Sequence, residues 1–128
     1  VLVAELGDST AQVTSNQTQV VFADAFTDFK ADVSYEYRKS GVAQLVTLRG
    51  RPPAPEEYDL SSASTHLLIL SEFIEAPTPQ VRERFWRSGN NTLRDDALDI
   101  GPMRMGRGRA FGEGNGRSQF NLPISKHW

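Results

Sequence analysis

The chain has 128 residues, 38% of them hydrophobic and 23% charged, with a formal net charge of −2. That length predicts one domain with a modest core. The absence of cysteine excludes a disulfide framework, a thiolate zinc site and a thiol nucleophile. No apolar run is long enough for a membrane-spanning helix, and no charged stretch followed by an apolar one at the N-terminus suggests a signal peptide. A chain that begins at Val1 suggests processing or excision from something longer. The near-neutral charge conceals a split. Residues 1–101 hold nine Lys and Arg against fifteen Asp and Glu, whereas residues 102–128 hold five against one.

In chain order, Val1–Leu6, Ala11–Thr14 and Gln19–Ala25 read as short strands separated by Gly7-Asp8 and Asn16-Gln17. Lys30–Arg38 alternates strictly. Lys30, Asp32, Ser34, Glu36 and Arg38 share one face, and Ala31, Val33, Tyr35 and Tyr37 share the other. Lys39-Ser40-Gly41 predicts a tight turn into a returning strand, Val42–Arg49. Arg51-Pro52-Pro53-Ala54-Pro55 ends it, because proline cannot donate to a ladder, and a loop runs on to Ser64. Thr65–Glu75, with near-continuous apolar residues, reads as a strand covered on both faces.

After Glu75 the pattern reads as helical. Thr78 and Pro79 suit a helix start. Gln80–Ser88 places Val81 and Phe85 on one side, and Gly89 suits the position after a helix end. Leu93–Ile100 predicts a second helix with Asp95 and Asp96 in its first turn, stopped by Gly101-Pro102. Residues 102–117 read as Gly/Arg-rich loop or disorder, and Gln119–Ile124 as a last strand or extended arm. The expected class is therefore α+β: an N-terminal hairpin and antiparallel sheet, two short C-terminal helices and an extended arm. The expected division is a domain over 1–101 and an arm over 102–128. Two short helices cannot cover such a sheet, so dimerisation is expected to complete it.

The search for chemistry finds no catalytic residue, metal site or cofactor motif. His66 is expected at the end of a buried strand. Asp95, Asp96 and Asp99 recur at helical spacing without a calcium-loop pattern, and Glu56, Glu57 and Asp59 sit on a proline-rich loop. The arm is more suggestive: Arg104, Arg107 and Arg109 interleaved with glycine near Phe111 match the composition of flexible RNA-binding segments. Arginine supplies both phosphate forks and stacking planes.

The layout resembles the coat proteins of single-stranded RNA bacteriophages. The resemblance rests on Ala31–Gly41 as a central strand and turn, Ala43–Arg51 running into Pro52, the loop 52–64, Ser64–Ile74 as the last strand, and Ala76–Arg84 entering the first helix. It covers about residues 30–100 and carries no invariant motif; the Gly/Arg arm departs from it. The resemblance implies a non-enzymatic structural protein of the virion. Such a protein pairs as a homodimer, assembles into a shell without membrane, and packages single-stranded genomic RNA. By position it implies RNA contacts at Lys30, Ser34, Arg38, Thr47 and Arg49, with Arg104, Arg107 and Arg109 added from the arm. Contacts of this kind are salt-sensitive. Two other classes fit the same residues: a β-rich binding or adhesion domain excised from a larger secreted protein, and a small hydrolase whose site is not readable.

Overall fold

A computed structural model describes all residues except Asn115 and Gly116, and only the backbone of Ser88, Glu113, Gly114 and 117–119. Among the described residues there is no α-helix. Nine strands and one 3-10 turn make up the regular structure, so the expected α+β class is replaced by a nearly all-β architecture. The chain falls into two compact units, Val1–Ile69 and Leu70–Trp128. The expected arm 102–128 therefore forms part of the second unit, except for Asn115 and Gly116, which lie outside the described residues.

The first unit follows its sequence pattern closely. Strands β1 (Ala11–Val13), β2 (Gln19–Phe22), β3 (Ala31–Arg38) and β4 (Gly41–Leu48) form one antiparallel sheet in sequential order. Arg38 pairs with Gly41 across a two-residue loop, and the register runs back to Ala31 opposite Leu48. Pairing in register puts Val20, Phe22, Val33, Tyr35, Tyr37, Val42, Val46 and Leu48 on one face and Asp32, Ser34 and Glu36 on the other. Its core is small: Ala25, Ala31 and Val33 are buried beside Asp32 and Ser34. Residues 55–58 form the 3-10 turn within the proline loop. Of the expected strand Val1–Leu6, only a bridge from Leu6 to Phe26 is present.

The expected strand Thr65–Glu75 is not in any sheet. Leu68 and Leu70 are 72% and 86% exposed, whereas Phe73 rests against the Trp128 ring with centroids 5.9 Å apart. Apolarity without a partner edge does not make a strand, because strand stability comes from cross-strand neighbours.

In the second unit both expected helices are strands. β5 (Gln80–Ser88) and β6 (Asn91–Ile100) form a long antiparallel hairpin, and β7 (Met103–Met105) extends it. The physical reason lies in the spacing. Residues i and i+4, such as Val81 and Phe85, share a face in a helix and in a strand alike. The segment that settles the matter is Gly89-Asn90. Gly89 has φ +60°, which a helix end would share, but it stands first of two loop residues between the paired Ser88 and Asn91, which is the pattern of a tight hairpin. Likewise Gly101-Pro102 turns β6 into β7, where Ile100 pairs with Met103. β8 (Gly108–Gly114) lies in the stretch expected to be loop and pairs with β9 (Arg117–Ile124), which overlaps the last strand or arm expected over Gln119–Ile124. Ala97, Leu98, Ile100 and Pro79 are buried in this unit, together with Asp95 and Asp96.

Candidate functional site

The charged face of β3 and β4 was the first expected RNA surface, and the register does place its five residues together. Main-chain pairing of Arg49 with Lys30 continues the ladder, so Lys30, Ser34, Arg38, Thr47 and Arg49 lie on one face. That face is neutralised from within. Arg49 bonds Asp32, whose carboxyl is held below its ordinary value by that guanidinium and by the N–H of Asp24. Arg38 bonds Glu36 at 2.7 Å, which lowers the carboxyl and raises the guanidinium. Ser34 is buried and accepts a hydrogen bond from the Gln19 amide at 3.2 Å. Arg38 and Arg49 are exposed but matched by Glu36 and Asp32, so Lys30 is the cation of that face with no ion pair among the described residues, too little charge to hold a phosphate chain.

A second face gathers more cations. On β5, Gln80, Arg82, Arg84 and Trp86 alternate onto one side of the β5–β6–β7 sheet. Their register partners on that side are Asp99, Ala97, Asp95 and Leu93, and Arg104 of β7 lies opposite Asp99. Arg107, just beyond β7, lays its guanidinium 4.2 Å from the centroid of the Trp86 ring, a cation–π contact. The indole N–H of Trp86 is buried and, among the described residues, meets no acceptor. Asp99 is bridged by two arginines: Arg104 Nε at 2.5 Å and Arg82 at 2.8 Å. The bridge from Arg104 is the main cause that holds the Asp99 carboxyl low, with Arg82 and Arg84 adding to it. Beside it an open cavity of about 560 Å³ is lined by Thr78, Gln80, Arg82, Asp99, Met103 and Arg104, among others.

Of the two fully buried aspartates, Asp95 lies on this face, opposite Arg84, and Asp96 on the other. Asp95 accepts from Lys126 through both its ammonium, at 2.6 Å, and its backbone N–H, at 2.9 Å. Asp96, on the opposite side of β6, accepts from the backbone N–H of Trp128 at 3.1 Å, and its own N–H donates to the Lys126 carbonyl. The segment 126–128 therefore lies against β6 beyond the short reach of β7. Since Lys126 cancels Asp95, the face carries four exposed guanidiniums (Arg82, Arg84, Arg104 and Arg107) against Asp99 alone.

Arg104 and Arg107 thus meet on one face, whereas Arg109 donates to Asn121 within the β8–β9 hairpin at 3.0 Å. Sequence reasoning missed Arg82, Arg84 and Trp86 because a helical reading scatters them. The alternation Gln80, Arg82, Arg84, Trp86 was the available pattern. His66, expected at the end of a buried strand, is exposed and outside any strand. Glu56 and Glu57 serve the proline loop: Glu57 accepts from the Ala54 N–H at 2.8 Å and Glu56 from the Ser62 N–H at 3.3 Å. Among the described residues no cluster of His, Asp and Glu could hold a metal. In comparison with known proteins, no family model, no curated protein and no solved structure matches the chain.

Proposed function

We propose that this chain is a β-rich binding module that takes a single-stranded RNA across the β5–β6–β7 face. One observation carries the reading: Arg82, Arg84, Arg104 and Arg107 converge on the face that also presents Trp86, opposed by Asp99 and by an Asp95 already matched by Lys126. Alternate strand residues stand about 6.7 Å apart, so Arg82 and Arg84 track along an extended backbone. Guanidiniums already bridged to Asp99 keep free N–H donors for phosphate, since each carries five. Trp86 supplies a stacking plane; a base replaces Arg107 over the ring and frees that guanidinium for a phosphate. The chemistry is positional and needs no reacting group, in keeping with a binding protein. The reading does not rest on the coat-protein resemblance, whose two C-terminal helices are strands here.

The test is fluorescence anisotropy with a labelled oligouridine over a salt series. Neutralising about three phosphates predicts a log–log salt slope near −2. Arg82→Gln with Arg84→Gln is expected to flatten it by about 1.4, at about 0.7 for each phosphate of a single strand that is no longer neutralised. Trp86 emission is expected to quench in a Trp128→Phe background, because these are the two tryptophans. Salt-independent binding, equal binding by the arginine variant, or heparin competing as well as RNA would falsify the proposal.

A further inference from the structure

Two features lack partners and fit one another. The first is the outer edge of β4. It ends the sheet order, and its eight residues, Gly41–Leu48, include no charge and no proline, the usual protections of an exposed edge. In the antiparallel ladder set by the Arg49 N–H to Lys30 carbonyl bond, Val42, Gln44, Val46 and Leu48 turn their N–H and C=O groups outward. Among the described residues no strand pairs with them.

The second is the segment Thr65–Ser71. Leu67, Leu68, Ile69 and Leu70 are 53%, 72%, 56% and 86% exposed. From His66 to Glu72 no main-chain hydrogen bond to another residue is found among the described residues. Apolar side chains on alternate faces in both directions mark a strand made for the inside of a sheet.

We infer that Thr65–Ser71 of one copy adds as a strand to the β4 edge of a second copy, reciprocally, to give a dimer. The lengths agree: seven residues span about 24 Å and the eight of β4 about 27 Å. Both strands are free of charge on both faces, so neither ladder buries an unpaired ion. Charges at the ends set the direction. Glu72 follows the donor segment and Lys39 precedes β4, so antiparallel addition brings them together, whereas the donor's other end follows uncharged Ser61–Ser64 and meets Arg49 and Arg51. Arg51-Pro52-Pro53-Ala54-Pro55 resists a tight turn back onto its own strand. Alternate side chains of the added strand lie beside Val42 and Leu48, exposed on the apolar face of the sheet.

Sedimentation velocity of the full chain is expected to give a dimer, and Leu68→Glu with Leu70→Glu a monomer whose far-UV spectrum loses only the strand signal of the added segment. Because the chain has no cysteine, Leu68→Cys combined in turn with Gln44→Cys and Val46→Cys reports the pairing directly. Oxidation is expected to link two chains in one of the two pairs. A monomeric wild type, a link within one chain, or a dimer that the glutamate pair leaves intact overturns the inference.

Discussion

Asp95 and Asp96 show how one residue's role depends on what reaches it. Neighbours on a strand face opposite ways, so two consecutive carboxylates can both be buried only if each side has its own donor. Lys126 serves Asp95 and the Trp128 N–H serves Asp96. Asp96 is held below its ordinary 3.8, chiefly by that N–H and then by Arg94, against the opposing effect of burial. A carboxyl held low in the folded chain contributes stability above its unfolded value, and that contribution is lost as pH falls through the folded value. Thermal stability is therefore expected to weaken below about pH 4, where unfolded aspartates take up protons. Asp96→Asn is expected to lower the midpoint at neutral pH and to make its acid dependence shallower. An unchanged acid slope would show that Asp32 and Asp99, also held low by their arginines, carry the effect.

Elements here are defined by their turns more than by their apolar spacing. Lys39-Ser40-Gly41 was legible as a hairpin because strict alternation preceded it, and β3 and β4 stand where that pattern puts them. Gln80–Ile100 was misread because Val81 and Phe85 satisfy both periods. The Gly89-Asn90 pair, flanked by runs of nine and ten residues, was the distinguishing sign. The β8–β9 hairpin was hidden by its composition: glycine and arginine suggest a loop, yet the ladder needs only backbone and a cross-strand partner. Gly112 shows what glycine does there. A Cβ at that position would overlap the ring of Phe120, its register partner, so the ring packs over bare backbone. Gly112→Ala is expected to displace the ring and cost about 1–2 kcal/mol, read as a shift of the denaturation midpoint.

At the scale of the whole molecule, charge and exposure divide along the two units. Residues 1–69 carry five Lys and Arg against nine Asp and Glu, and residues 70–128 nine against seven, so the positive excess begins well before residue 102. Between them the chain runs from the proline loop through Thr65–Glu75 with little regular structure, where a protease gains access first. Chymotrypsin is expected to cut between Tyr58 and Phe73 before it cuts either sheet. Cleavage confined to Tyr58 follows if Thr65–Ser71 is paired, and cleavage at Leu67–Leu70 follows if it is free, a difference that mass spectrometry of the first fragments resolves.

By itself the sequence determined the β3–β4 hairpin and the places of β1 and β2, because alternation and turn residues act over a few positions, but not which strands complete the sheet. Only the tertiary structure decided that Gln80–Ile100 is a hairpin, which arginines meet beside Trp86, and which cations are cancelled. Those outcomes depend on partners distant in sequence: Asp99 between Arg82 and Arg104, Lys126 on Asp95, and Arg107 over Trp86. A local pattern states which face a side chain takes; the free energy of that side chain is set by what the rest of the chain brings to meet it.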